Sequence, residues 1–273
     1  MDIFIKQNKW RILLGIIYAS AILGIGLAIA GMASLWWLLA GLVTSKIVQL
    51  IGHSIGLHRF FSHKSFDTTK TWENVMAWVS ILLGIGSPIQ YARNHRFHHR
   101  TSDTKDDIHS SHFDGRISTA LGLWAFHDVS WFMTKGTEAT RDLMSNPTLR
   151  FINKHYYPIW YSLIAITLLI DWRITLYLLM LPSFIFHLEV NGMVNTACHI
   201  WGYRNFETKD YSRNLKWVAY WMMGEGYHNN HHARPHLWDC GVKEDEWDGS
   251  AWFIEKFMAI DGRHTRAGKI RID

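Results

Sequence analysis

Eight of the seventeen histidines in the chain stand in three short clusters, and each cluster has a spacing that suits metal coordination. They read H-R-F-F-S-H (His58, His63), H-R-F-H-H (His95, His98, His99) and H-N-N-H-H (His228, His231, His232). In the last two, the i, i+3, i+4 spacing sets three imidazoles along one face of a helical turn. Neutral imidazole suits iron, zinc, copper and nickel. One metal takes about four to six donors, so eight clustered histidines are too many for a single zinc. Two metals are the economical reading. The plain alternative, three unrelated groups of surface histidines, needs three such spacings to arise by accident, each beside a long apolar segment.

The elements that must position these clusters are apolar. Hydrophobic residues make up 48% of the 273, concentrated in runs, and fifteen tryptophans suit a membrane interface. Four stretches, about 11–31, 34–57, 155–171 and 174–198, are long enough to cross a hydrocarbon core of ~30 Å. Tight links at Gly31-Met32 and Asp171-Trp172-Arg173 leave no room for a domain on that side. All the soluble mass, 58–154 and 199–273, is therefore expected on the other. The stretch 72–91 is apolar too, but a full crossing there would separate the first two clusters. It is expected to be interfacial or re-entrant, breaking at Gly84, Gly86 or Pro88. A further helix over 118–134 is expected to lie in the interface.

Lys6, Lys9 and Arg11 precede the first stretch, and Arg59, Lys64 and Lys70 follow the second. That bias predicts cytoplasmic termini and a cytoplasmic site. The N-terminus reads as a retained first span with no cleavage signal. The formal charge of +5 is dispersed, with no basic run or nucleic-acid-binding motif. Two cysteines, Cys198 and Cys240, fit a reducing compartment and exclude a thiolate-held cluster. The fold expected is all-α: one integral membrane domain of four spans under a cytosolic helical cap.

Two stripes stand out inside the spans. His187, Asn191, Asn195 and His199 recur every four residues, so they share a helix face. Polar groups there normally face protein or a cavity, and Asn195 and His199, at the cytoplasmic end, suit metal coordination. Glu189 lies off this face and wants a partner. In the second span, Lys46, Gln49 and His53 lead to His58. Lys46 either snorkels or pairs with another helix, or lines the closed end of a substrate cavity and limits chain length.

Nitrogen-rich sites without cysteine favour a redox metal over a structural one. A pair of irons can activate dioxygen against an unactivated C–H bond. A site at the end of a bundle of spans implies a lipid-like substrate and a soluble reductant.

With these residues in view, the chain resembles the membrane-bound fatty acid desaturases, specifically the acyl-CoA (stearoyl-CoA, delta-9) group. The likeness runs from about His58 to Pro235. It is carried by H-R-F-F-S-H-K-S-F, A-R-N-H-R-F-H-H-R, the D-x-x-x-D-x-H-S run ending at Ser110, N-T-A-C-H-I-W-G-Y-R and G-E-G-Y-H-N-N-H-H-A-R-P. The resemblance implies four spans in a cone and nine histidines holding two irons. It implies one iron on His58, His99, His199, His228 and His232. The other would sit on His63, His95, His98 and His231, with Asn195 reaching it through water. His53, His109, His112, His127, His155, His187, His236 and His264 fall outside this set, and local hydrogen bonding is expected for them.

The activity implied is dioxygen-dependent removal of hydrogens from adjacent methylenes, giving a cis double bond and two waters. Acetylenase or terminal desaturase activity ranks second, and hydroxylation third. A non-catalytic metal-binding membrane protein is the alternative of another class. The substrate implied is a fatty acyl-CoA or acyl-ACP, with an acyl lipid as the further alternative. Lys46, Arg93, Asn94, Trp131 and Lys135 are the candidate substrate contacts. Tyr91 and Asn94 stand where Trp and Asp are common in the family, and Lys135-Gly136 reduces a basic pair, so the carrier is open. No bound organic cofactor is expected. Electrons would come from a separate ferredoxin, rubredoxin or b-type cytochrome. The membrane would be the inner membrane of a bacterial cell or the endoplasmic reticulum of a eukaryotic one.

Overall fold

The computed structural model describes residues 2–123 and 137–260. Among them no strand forms, and three isolated backbone bridges, Thr68 to Ala259 for one, tie loops together. Helix α1 (Asp2–Ile29) is apolar around its circumference along most of its length, the pattern of a helix that meets apolar surroundings on every side. Helix α2 (Trp36–Ser62) begins as a regular α-helix and widens from Gln49 onward into turns closed by i+5 hydrogen bonds. It therefore runs past the expected boundary at 57 and carries His58 within it.

Next come α3 (Lys70–Ile81) and α4 (Pro88–Thr101). At about 1.5 Å per residue, the 12 residues of α3 are too short to cross a bilayer. The break falls where the sequence places it. Gly84 and Gly86 adopt φ of +72° and +104°, which a side chain would strain. Ser87 then caps α4 reciprocally with Gln90, and Pro88 occupies the first turn. The chain turns back, so the first two histidine clusters stay at one end.

Short helix α5 (Arg116–Ala120) precedes the undescribed 124–136, and with it most of the helix expected over 118–134. Helix α6 (Pro147–Ile170) starts at Asn146, whose side chain accepts from the N–H groups of Thr148 and Leu149. It kinks at His155 (φ −108°, ψ 15°), three residues before Pro158, which offers no N–H. Helix α7 (Ile174–Ile200) follows at once. Beyond it lie α8 (Lys216–Trp221), α9 (His228–Ala233) and α10 (Gly249–Phe253).

Among the described residues, three helical stretches are long and apolar enough to cross a membrane: Asn8–Ile29, Trp36–Ser62 and Ile174–Ile200. The fourth expected crossing lies in α6, whose first half carries Arg150, Asn153, Lys154 and His155 and dilutes its apolar character. Ile22, Leu23, Ile29, Val43, Ile47, Ile166 and Leu169 face outward, about half exposed or more. Such a belt would be a liability in water and is ordinary against lipid. Inward, Leu13, Ile17, Ile55, Leu57, Met76, Trp160 and Phe186 form one core joining α1, α2, α3, α6 and α7. Trp160 Nε1 donates to Ile81 O at 2.8 Å, and Gly86 N–H donates to Tyr156 Oη at 2.9 Å. These two bonds pin α6 to the turn that feeds the second cluster.

Candidate metal centre

Four elements bring nine imidazoles together at one end of the bundle. The widened end of α2 supplies His58 and His63, whose spacing of five matches its hydrogen bonding: His63 N–H donates to His58 O at 3.3 Å. Helix α4 supplies His95, His98 and His99; α7 supplies His199; α9 supplies His228, His231 and His232.

The imidazoles fall into two groups, in each of which the candidate ligand atoms lie within 4.8 Å of one another. One is His58, His63, His95, His99 and His231; the other is His98, His199, His228 and His232. This grouping by proximity differs from the division implied by the resemblance, which put His58 and His99 with His199, and His98 with His63. Helical geometry explains it. Residues i and i+4 are offset by only about 40° around the axis, but i+3 and i+4 are about 100° apart. His95 and His99 therefore enter one group while His98 turns to the other. On α9, His228 and His232 share a group and His231 crosses over. Both helices lie between the groups and serve each from adjacent sides.

Carboxylates hold three of the rings by a hydrogen bond at Nδ1, and a fourth carboxylate lies against the Nδ1 of His58. Asp103 Oδ2 is 2.7 Å from His199, Asp107 Oδ1 is 2.9 Å from His98, and Asp210 Oδ2 is 2.9 Å from His232. Glu225 Oε2 lies 2.7 Å from His58. Such a partner fixes the proton on Nδ1, turns Nε2 toward a metal and raises its basicity. Sequence reasoning did not assign these acids a role, although Asp103, Asp107 and Glu225 sit in the D-x-x-x-D and G-E-G runs it singled out. Asp210 had no such signal.

Burial and then mutual repulsion push His63, His95, His99, His228 and His231 well below the ordinary imidazole range. Burial also lowers His232, to about 4, although Asp210 resists it. At His98 burial acts downward, but Asp107, Asp103 and Asp210 outweigh it and raise the ring. Burial would raise Glu225, yet His58 and Arg59 hold it well below the usual carboxylate range. Most of the cradle is thus neutral imidazole at neutral pH, the form that binds a metal.

The donor set fits a bound cation. In the five-histidine group, Nε2 atoms meet in a chain. His63–His95 is 2.8 Å, His95–His99 is 3.1 Å, His99–His231 is 3.0 Å and His231–His58 is 2.9 Å. Each neutral Nε2 has either one hydrogen or one lone pair, so at most two of these four contacts can be hydrogen bonds. In the other group, His199 and His228 meet Nε2 to Nε2 at 2.9 Å, and the buried Nε2 of His232 has no hydrogen-bond partner. Buried polar atoms left this way are costly. A cation at the centre of each group would answer the Nε2 lone pairs that these contacts leave over.

A cavity reaches His95, His98 and His228 from an apolar wall of Trp10, Ile85, Tyr157, Phe186 and Val190. Arg93, Asn94, Asn191 and Asn195 also line it. Asn195 Nδ2 donates to Asn191 Oδ1 at 3.2 Å, and Arg93 Nε donates to Asn94 Oδ1 at 3.3 Å. Lys46 does not line this cavity. Its Nζ donates to both Glu189 oxygens at 2.6 and 2.8 Å, supplying the partner that Glu189 wanted. Trp131 and Lys135 lie outside the described residues, as do His127 and His264. Of the other histidines, His53 Nε2 is 2.8 Å from Tyr91 Oη, and His112 Nε2 donates to His199 O at 3.0 Å.

An all-helical membrane protein with a carboxylate-backed histidine cradle is thus defined by fold and site. The sequence model for fatty acid desaturases matches residues 34–238, and the chain belongs to that family, an oxidoreductase family. It is 30% identical over 239 residues to an sn-1 stearoyl-lipid 9-desaturase of Anabaena variabilis, covering 85% of this chain and 80% of that one. It is 32% identical over 222 residues to an sn-2 palmitoyl-lipid 9-desaturase of Nostoc sp. (strain 36), covering 77% and 74%. It is also 30% identical over 233 residues to a chloroplastic palmitoyl-monogalactosyldiacylglycerol delta-7 desaturase of Arabidopsis thaliana, covering 80% of this chain. The matched region spans just 58% of that longer protein.

Proposed function

We propose that this chain is a dioxygen-dependent desaturase that introduces a cis double bond into a fatty acyl chain esterified in a membrane lipid. The observation that carries the reading is the pair of histidine groups meeting at the end of an apolar-walled cavity. The names of the relatives, which act on stearoyl-lipid and palmitoyl-lipid, favour a lipid carrier over acyl-CoA or acyl-ACP. Their 9-desaturase names favour desaturation over acetylenation or hydroxylation.

Two irons, on the five- and four-histidine groups, would supply with dioxygen and two electrons the oxidising power to remove two hydrogens. The protein's own share is positioning. Phe186, Val190, Tyr157 and Ile85 would hold the chain apolar and exclude water, so that particular methylenes face the histidines. Asn195, which lines the same cavity, would reach one of the two metals through water. Arg93 and Asn94 would contact the polar end of the substrate, and Trp131 and Lys135 remain proposed contacts there. The electrons would arrive from a separate ferredoxin, rubredoxin or b-type cytochrome. We read α6 as a fourth crossing, with the site on the cytoplasmic side.

The test is expression in a host fed defined saturated lipids, with products resolved by gas chromatography–mass spectrometry. A new cis double bond should accumulate in glycerolipid before it appears in the acyl-CoA or acyl-ACP pools. Appearance first in a thioester pool would overturn the carrier, and hydroxylated or acetylenic products would overturn the reaction.

A further inference from the structure

The two histidine groups differ in the charge that stands behind them. In the four-histidine group, three ligand rings are backed by separate carboxylates, Asp103, Asp107 and Asp210. Besides the imidazole of His109, 4.0 Å from Asp107 Oδ1, the remaining hydrogen-bond partners of these acids are hydroxyls and backbone N–H groups. Asp103 accepts from Tyr211 N–H at 2.8 Å and Ser110 Oγ at 3.2 Å. Asp107 accepts from Asp103 N–H at 2.9 Å, and Asp210 from Ser212 N–H at 3.0 Å and Thr208 Oγ1 at 2.8 Å. Among the described residues, no lysine or arginine is ion-paired with any of the three.

The five-histidine group is built otherwise. Among the described residues one carboxylate backs it, Glu225, and this faces a cation: Arg59 Nη1 is 2.9 Å from Glu225 Oε1. Arg59 is 1% exposed, so solvent does little to screen that contact. Its other Nη lies 2.8 Å from Asp248 and 3.3 Å from Cys240 Sγ, which fixes the guanidinium from the C-terminal side. Gly224 (φ +105°) leaves the space for this, since a Cβ there would collide with the Asp248 carboxylate. Arg59 also follows His58 directly in sequence, so the cation and the ligand are carried on one turn of α2.

We propose that the two metal positions are electrostatically unequal: the four-histidine position, with three uncompensated carboxylates behind it, binds its metal more tightly and holds ferric iron first. Arg59, which Glu225 shares with Asp248, offsets part of the one carboxylate charge behind the five-histidine position and leaves that position weaker and ferrous for longer. This rests on the reading of the site as a two-iron centre. Asp103, Asp107, Asp210 and Arg59 act here as positioning and charge-setting residues, since they reach the metals only through other side chains. The direction follows from elementary electrostatics. Negative charge hydrogen-bonded through Nδ1 makes imidazole a stronger donor, and a harder, more highly charged ion gains most from it.

The experiment uses full-length protein loaded with 57Fe(II) in detergent without oxygen. Metal content is followed against rising chelator, and Mössbauer spectra are taken after half an equivalent of ferricyanide per iron. Wild type should release its iron in two steps and show one ferric environment. Asp210→Asn keeps the shape and removes one charge. It should weaken the later-released iron by about 10–100-fold, the usual effect of losing an outer partner, bring the steps together and mix the ferric signals. Asp107→Asn, on a different loop, should do the same and covers the case in which Asp210→Asn fails to fold. Glu225→Gln should advance only the first release.

Release of both irons in one step from wild type, or a loss of the early iron alone in both Asp variants, would overturn the inequality. A protein that never takes up more than one metal per chain would instead sink the two-iron reading itself.

Discussion

Two polar clusters join α2 to α7, about 15–18 Å apart at 1.5 Å per residue, and they are built on opposite principles. At one end, nine imidazoles crowd together, seven of them meeting Nε2 to Nε2, and their own hydrogens cannot turn every such contact into a hydrogen bond. Nearer the middle of both helices, Lys46 meets Glu189, and Glu189 accepts from Gln49 and also from Trp221 Nε1 at 2.6 Å. Lys46 lies over the Trp221 ring, 4.2 Å from its centroid. The second cluster cancels its own charge and completes its own hydrogen bonds. The first cannot, and needs something added. A buried cluster that is unsatisfied by its own members is a binding site, whereas one that closes on itself is a fastening between helices.

The sharpest way to break that contrast is to remove one member of each group. His98→Ala should lose one of two bound metals and lower activity by more than about 100-fold, beyond the loss expected for an outer partner alone. His63→Ala should do likewise from the other group. Metal analysis of purified protein checks both, and full metal content in either variant would remove that residue from the ligand set.

At the fastening, the expected effect is on stability. Glu189→Leu leaves Lys46 without its partner and should cost roughly 3–5 kcal/mol. The double change Lys46→Met with Glu189→Leu should recover most of it. Thermal unfolding in detergent reads both, with metal content unchanged throughout. Lys46→Ala should also be profiled for product chain length, and a shift to longer products would make Lys46 the stop at the end of the chain path.

Acid should separate the clusters next. His63, His95, His99, His228 and His231 have folded values well below the ordinary imidazole value of about 6.5, and His232 is near 4. Between those values and 6.5 the unfolded chain binds more protons than the folded one. Stability of metal-free protein should therefore be intact above about pH 6.5 and fall as pH drops toward 4. His98, which is raised, opposes this trend alone. Bound metal should move the fall to lower pH by competing with protons. A flat melting temperature from pH 7 to 4.5 without metal would contradict the burial argument.

The smallest effect belongs to Arg93→Ala. Because Arg93 lines the cavity without joining either histidine group, a several-fold rise in KM with kcat retained is expected. A fall in kcat alone would place it nearer the reaction than the geometry does.

Much of this was legible in the sequence for physical reasons. Apolar runs at bilayer length specify crossing helices because backbone polar groups must be satisfied internally there. Gly84, Gly86 and Pro88 specify the break after α3 because few other residues tolerate those conformations. The histidine spacings specified that metal-type clusters existed. The sorting of ligands between metals was not legible, because it depends on how α4 and α9 are rotated about their axes against α2 and α7. A rotation of one residue, about 100°, exchanges the i+3 and i+4 partners. Nor could the pairing of Arg59 with Glu225, or of Lys46 with Glu189, be read from residues 166 and 143 positions apart. Local composition decides which segments become helices and where they stop. Only the packing of those helices decides which buried charges meet, because that choice is made by contacts the chain forms across its full length.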